Sequence, residues 1–121
     1  MKLKTICFDI DNVVCKTNAE NDYSKSKPIK KNIKVINETY KKGFNIILYT
    51  ARYMGRCNGN LAKVEKKIKP LTVKQLKKWG VQYHELILFK PSYDIFIDDK
   101  SLSFNSSWTS HLLKELKIKN I

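Results

Sequence analysis

A chain of 121 residues is enough for one domain and short of two. Its 42% hydrophobic content supports a buried core and excludes a disordered tail, and no apolar run approaches the length of a membrane span. The net charge of +13 invites nucleic acid, yet every basic residue except Arg52 and Arg56 is a lysine, spread along the chain among many Asn and Ile. That mixture is what an AT-rich coding sequence supplies, and a solvated lysine surface explains it as well as a basic groove does.

The first predicted element is a strand over residues 3–9, "LKTICFD", short, apolar and β-branched. The basic start followed by an apolar run imitates a signal peptide, but Asp9 and Asp11 fall inside that run and exclude one. Residues 12–31 read as a small hairpin or flap, "VVCK" pairing with "YSK" around a polar tip. Asn32 then caps a helix to Lys42, with Ile33, Ile36 and Tyr40 on one face and Gly43 as its stop. Residues 44–50, "FNIILYT", form the clearest strand, followed by a loop over 51–60. Leu61, Val64 and Ile68 suggest a short helix. A second is predicted from Thr72 to Trp79, with Val73, Leu76 and Trp79 inward and Gly80 closing it. "ELILFK" and "DIFID" are the last two strands, and a helix over 107–117 follows, with Trp108, Leu112 and Leu116 on one face.

This order predicts a single α/β domain over residues 1–121, a three-layer Rossmann-like arrangement with a mainly parallel central sheet and no separate cap domain. Three cysteines, Cys7, Cys15 and Cys57, leave one unpaired under any pairing and lack CxxC spacing. They point away from a zinc site and toward a reducing, cytoplasmic setting. His84 and His111 have no acidic or cysteine partner at metal or triad spacing and read as structural or exposed.

In such sheets ligands bind at the carboxyl ends of the strands. The predicted strands deliver polar residues to that edge in order: Asp9 with Asp11, Thr50, Lys90, and Asp98 with Asp99. Two carboxylates about 4 Å apart repel by roughly 4 kcal/mol at an effective dielectric near 20, so four together ask for a cation. A hard dication such as Mg2+ suits few carboxylates and several waters. A lysine and a hydroxyl beside it suit a phosphoryl group.

The four segments "FDIDNV", "LYT", Lys90 and "FIDD" resemble the four motifs of the haloacid dehalogenase (HAD) superfamily of phosphotransferases, over about residues 5–100. The resemblance implies that Asp9 is the nucleophile, forming an aspartyl-phosphate. It makes Asp11 the acid for the leaving oxygen and then the base for water. Thr50 would hydrogen-bond the phosphoryl oxygens and Lys90 balance charge. Mg2+ would sit among Asp9, the Asp11 backbone carbonyl and Asp98, and Asp99 would support its waters or orient Lys90. An Asp at position 11 favours phosphatase or mutase chemistry over halide displacement. The family usually has Gly-Thr after the second Asp, where this chain has Asn12-Val13; asparagine tolerates the left-handed backbone that such a turn needs.

The intervals where larger members insert caps are short here, so an open active-site face, or a lid supplied by a neighbouring subunit in a homo-oligomer, is expected. Asn12, Ala51 and Arg52 are the substrate-binding candidates. For Arg52 two readings stay open: a planar fork for a second phosphate, a carboxylate or a sugar, or a surface arginine in a salt bridge. Tyr53, Asn58, Asn60 and Lys63 would shape the pocket. The pattern "TARYM…PLTVKQLKKWGVQYHELILFKP…IDDK" resembles a small capless bacterial branch associated with capsule or surface-polysaccharide synthesis, which implies a sugar phosphate as substrate. The alternatives are a nucleic-acid end (3′-) phosphatase and, in another class, a catalytically inactive binding module. A receiver domain fits poorly because the order of its acids and lysine differs.

Overall fold

The structure is a computed structural model and describes residues 4–58 and 60–119. Leu3, where the first predicted strand begins, and Gly59 in the predicted loop lie outside the described residues. Strand β1, Thr5–Asp9, pairs in parallel with β4, Asn45–Tyr49, which pairs in parallel with β5, Glu85–Ile87. The central sheet is therefore three parallel strands in the order β1-β4-β5. Two short strands, β2 (Cys15–Lys16) and β3 (Lys27–Pro28), close the predicted flap as an antiparallel pair. Its register is set several residues past the "YSK" expected to pair, because residues 23–25 coil into a 3-10 turn capped by Asp22.

Helix α1, Lys30–Lys41, buries Ile33, Val35, Ile36 and Thr39. Asn32 is not its cap. The helix starts earlier, and the Asn32 side-chain amide donates to the Val13 carbonyl at 2.8 Å, tying α1 to the turn after β1. Gly43, at φ 94°, ends the helix where a residue with a Cβ would be strained. Ile46 and Leu48 of β4, both without exposure, pack with Phe8, α1 and helix α3, Trp108–Glu115, into the main core. Side chains alternate across a strand, so Ile46 and Leu48 line one face. Truncating either to Ala would cost about 2–5 kcal/mol.

The two helices expected between 61 and 79 are one, α2, Leu61–Lys78, with Pro70 inside it. A proline in a helix interior costs about 3 kcal/mol. The helix continues because its buried stripe, Val64, Ile68, Thr72, Gln75 and Leu76, runs unbroken past it. Thr72 is accordingly an inward residue and not a cap, and Val73 is exposed. Asn60 caps the helix through Lys63 N–H. Val64, Ile68, Leu88 and Cys57 form a second, smaller cluster under α2.

The predicted strand "DIFID" is absent from the sheet. Residues 91–107 are exposed throughout, with Ile95 at 80% and Ile97 at 92%. Local contacts explain this. Tyr93 and Phe96 stack at 5.0 Å and lie over the Lys90 ammonium, and Asp98 accepts from Lys100 N–H in a tight turn. Among the described residues β1 thus has β4 on one side and no strand on the other. No helix among the described residues is long and apolar enough to cross a membrane.

Candidate active site

Asp9 is the last residue of β1, and the chain must turn at once. The Ile10 carbonyl accepts from Val13, Val14 and Cys15 N–H groups, and Asn12 sits at φ 70°. The turn aims Asp9 and Asp11 at the carboxyl end of the sheet. Lys90 reaches the same edge because its N–H donates to the Thr50 carbonyl, one residue beyond β4. The Lys90 ammonium lies 3.3 Å from Asp9 Oδ2, and Asp9 Oδ1 accepts from its own Ile10 N–H at 2.9 Å. Burial pushes the Asp9 carboxyl above its ordinary value, with Lys90 pulling the other way. The Lys90 ammonium works against its own burial, yet hydrogen bonding to Tyr93 and the charge of Asp9 hold it above its ordinary value.

Asp11 is held differently. Arg52 Nε is 3.1 Å from both of its oxygens and Nη2 is 2.9 Å from Oδ1. The Thr17 hydroxyl donates to the same Oδ1 at 2.6 Å. Arg52 has an exposure of 1%, and its remaining donors go to Thr72 Oγ1 and Gln75 Oε1 at 3.2 and 2.7 Å. Its guanidinium lies 4.7 Å from the centre of the Tyr23 ring. The salt bridge read for Arg52 is present, with Asp11 as its partner, but the arginine is buried and not on the surface, and its fork is taken up by protein groups.

Asp9, Asp11, Asn12, Ala51, Arg52 and Lys90 line one cleft of about 500 Å³ with the flap residues Thr17 and Tyr23 and with Tyr93. Thr50 stands just behind it, fully buried, its hydroxyl accepting from Arg52 N–H at 3.1 Å. Asp98 and Asp99 do not join the group; both are exposed on the 91–107 segment. Among the described residues no group of three or more His, Cys, Asp or Glu is placed to hold a metal ion. The flap is fastened over the cleft's side by Arg56, which donates to the Glu20 and Asn21 carbonyls, and by Gln75, which donates to the Tyr23 carbonyl at 2.6 Å. Tyr53 faces Tyr23 at 5.7 Å and supports the Arg56 guanidinium. His84 accepts from Ile46 N–H and stacks on Tyr40.

Sequence reasoning missed Thr17, Tyr23, Thr72, Gln75 and Tyr93. Two of them left a trace: Thr72 and Gln75 are the polar positions on the otherwise apolar inward stripe of α2. A larger depression of about 770 Å³ lies by α1 and the end of α2, lined by Lys27, Lys30, Lys34, Lys41, Lys78 and Trp79 among others.

No family model matches the chain, and no curated protein matches it. A crystallised protein from Vibrio cholerae has the same fold at a TM-score of 0.77 and 27% identity, covering 94% of this chain and 99% of that one. A chain of the Pnkp1/Rnl/Hen1 RNA repair complex aligns at a TM-score of 0.48 and 15% identity, covering 93% of this chain and 31% of that one.

Proposed function

We propose that the chain is a capless HAD-type phosphatase that hydrolyses a phosphate monoester through a phosphoryl group carried on Asp9. The observation that carries the reading is the pairing of Asp9 and Lys90 at 3.3 Å in the cleft that Asp11 also lines. An Asp9 oxygen attacks phosphorus and the ester P–O bond breaks. The departing oxygen takes its proton from Asp11. Water then attacks the acyl phosphate and gives its proton to Asp11 as the P–O bond to Asp9 breaks, which frees Asp9 as a carboxylate and returns Asp11 to the neutral acid in which it entered the cycle. Lys90 offsets the negative charge gathering on the transferring group. Nothing in this sequence requires a second subunit, and the space fits a small ligand such as a sugar phosphate.

The donors as they stand do not suit magnesium. Asp9 Oδ2 is engaged by Lys90, and Asp98 is exposed and does not line the cleft. No step above is routed through an ion. A magnesium-dependent activity would require Asp98 to stand nearer Asp9 than it does here. The test is an EDTA titration of wild-type and Asp98→Asn turnover.

The primary experiment is turnover of p-nitrophenyl phosphate and a panel of sugar phosphates beside a 3′-phosphorylated oligonucleotide. Asp9→Asn is expected to fold and to lose turnover roughly 10⁴-fold or more. Full turnover by that variant overturns the nucleophile assignment. Hydrolysis confined to the oligonucleotide replaces the sugar phosphate with a nucleic-acid end.

A further inference from the structure

The reading above gives Asp11 a proton to carry. Resting on that reading, we propose that Arg52 is the positioning residue for Asp11, fixing one carboxylate oxygen and leaving the other to exchange a proton with the leaving group. The guanidinium is oriented before it meets Asp11: Thr72 and Gln75 hold Nη1, the Cys15 sulfur lies 3.5 Å from Nη2, and Tyr23 covers one face of the plane. The grip is uneven. Asp11 Oδ1 takes Nη2 at 2.9 Å, a share of Nε at 3.1 Å, the Thr17 hydroxyl at 2.6 Å and the Cys15 thiol at 3.7 Å. Among the described residues Oδ2 has only the other share of Nε, at 3.1 Å. A carboxylate oxygen has two lone pairs, so Oδ1 is filled and Oδ2 has room for a proton.

In the first step Asp11 enters as the neutral acid with its proton on Oδ2; an Asp9 oxygen bonds to phosphorus, the P–O bond to the leaving group breaks, and the Oδ2 proton passes to that oxygen, leaving Asp11 as the carboxylate that Arg52 holds. In the second a water oxygen bonds to phosphorus, its proton passes to Oδ2, and the P–O bond to Asp9 breaks. Arginine suits the post because its rigid fork fixes the carboxylate plane, which a lysine's single ammonium cannot do. The Thr17 hydroxyl, itself 2.9 Å from Ser26 Oγ at the base of the flap, adds a second fix on Oδ1.

The test compares kcat/KM for an alkyl phosphate, whose alkoxide must be protonated, with p-nitrophenyl phosphate, whose phenolate leaves unaided. Both values report the path to the phosphorylated enzyme. Arg52→Lys keeps the charge and loses the fork; it is expected to lose about 10- to 100-fold more on the alkyl ester than on the aryl ester, part of a general-acid effect of about 10²–10⁴. Thr17→Val, at a half-buried site, is expected to show the same bias at several-fold, and it decides the matter if Arg52→Lys fails to fold. Equal losses on both esters overturn the proposal, because a merely structural role lowers both alike. Asp11→Asn separates the two levels. With a strong bias there and none in Arg52→Lys or Thr17→Val, only the Arg52 assignment falls. With no bias in Asp11→Asn, the proton role of Asp11 falls and takes this inference with it.

Discussion

The two aspartates that close β1 stand two residues apart in opposite settings. Asp11 is gripped by a buried arginine that is itself braced by α2 and the flap. Asp9, 40% exposed, meets one lysine, and that lysine is covered by aromatic rings of a segment otherwise left in solvent. The difference matches what each would have to do. A group that exchanges protons benefits from a fixed direction. A nucleophile needs an open approach to phosphorus and a counter-charge that does not block it.

The comparison can be broken at either end. Lys90→Met is expected to lower turnover about 10²–10³-fold with little change in folding, the usual cost of removing one preorganised charge-stabilising group. Steady-state kinetics beside a thermal melt checks it, and a large drop in melting temperature with turnover intact would mean that Lys90 only serves the fold. Arg52→Met tests the braced end. Removing one partner of a buried ion pair costs about 3 kcal/mol or more because the other is left uncompensated. Urea unfolding should show a loss of that order, and a loss below about 0.5 kcal/mol, ordinary for a surface site, would show that the network is not formed.

The pH profile sharpens the contrast. On the proposed mechanism Asp9 attacks as the carboxylate, and its pKa is raised above the ordinary 3.8 by burial, with Lys90 opposing. The acid limb of kcat/KM is therefore expected above 3.8. A raised carboxyl favours the folded state below its ordinary value and loses that contribution as pH rises through the folded one. Lys90, raised above 10.5, contributes to stability below that value and loses the contribution as pH climbs through its folded value, so it sets no limb near neutrality. An acid limb at or below 3.8 would place Asp9 in water. The smallest expected effect is that of Ile97→Ser. At 92% exposure it should change unfolding free energy by less than about 0.5 kcal/mol. A loss of about 2 kcal/mol or more, the scale of a buried isoleucine, would show that this segment docks in solution.

How much of this was legible follows from the range of each interaction. β1, α1 and β4 could be read because their apolar periods are local, and Gly43 and Gly80 mark helix ends by backbone geometry alone. The turn at Asn12 could be read from a residue type that tolerates positive φ. Thr72 misled because a residue type that opens helices stands here inside one, on the buried stripe of α2 that runs on past Pro70. Asn32 misled because a helix-capping residue was used for a contact 19 positions away. The grip of Arg52 on Asp11 spans 41 positions and the brace from Gln75 another 23; no local pattern encodes either. "DIFID" has strand composition, but stacking of Tyr93 on Phe96 and the turn at Asp98 decide its placement.

The flank of β1 that carries no strand among the described residues gives the lysine-rich surface a use that needs no ligand. A row of unpaired backbone groups is a template on which another chain can add a strand, and the exposed apolar residues Ile95, Phe96 and Ile97 are of a type that adds well. At +13, two copies repel before they can align. Added salt shortens that repulsion to about 10 Å at 0.1 M and about 3 Å at 1 M, so the same charges that keep the molecules dispersed in dilute buffer would cease to do so in brine.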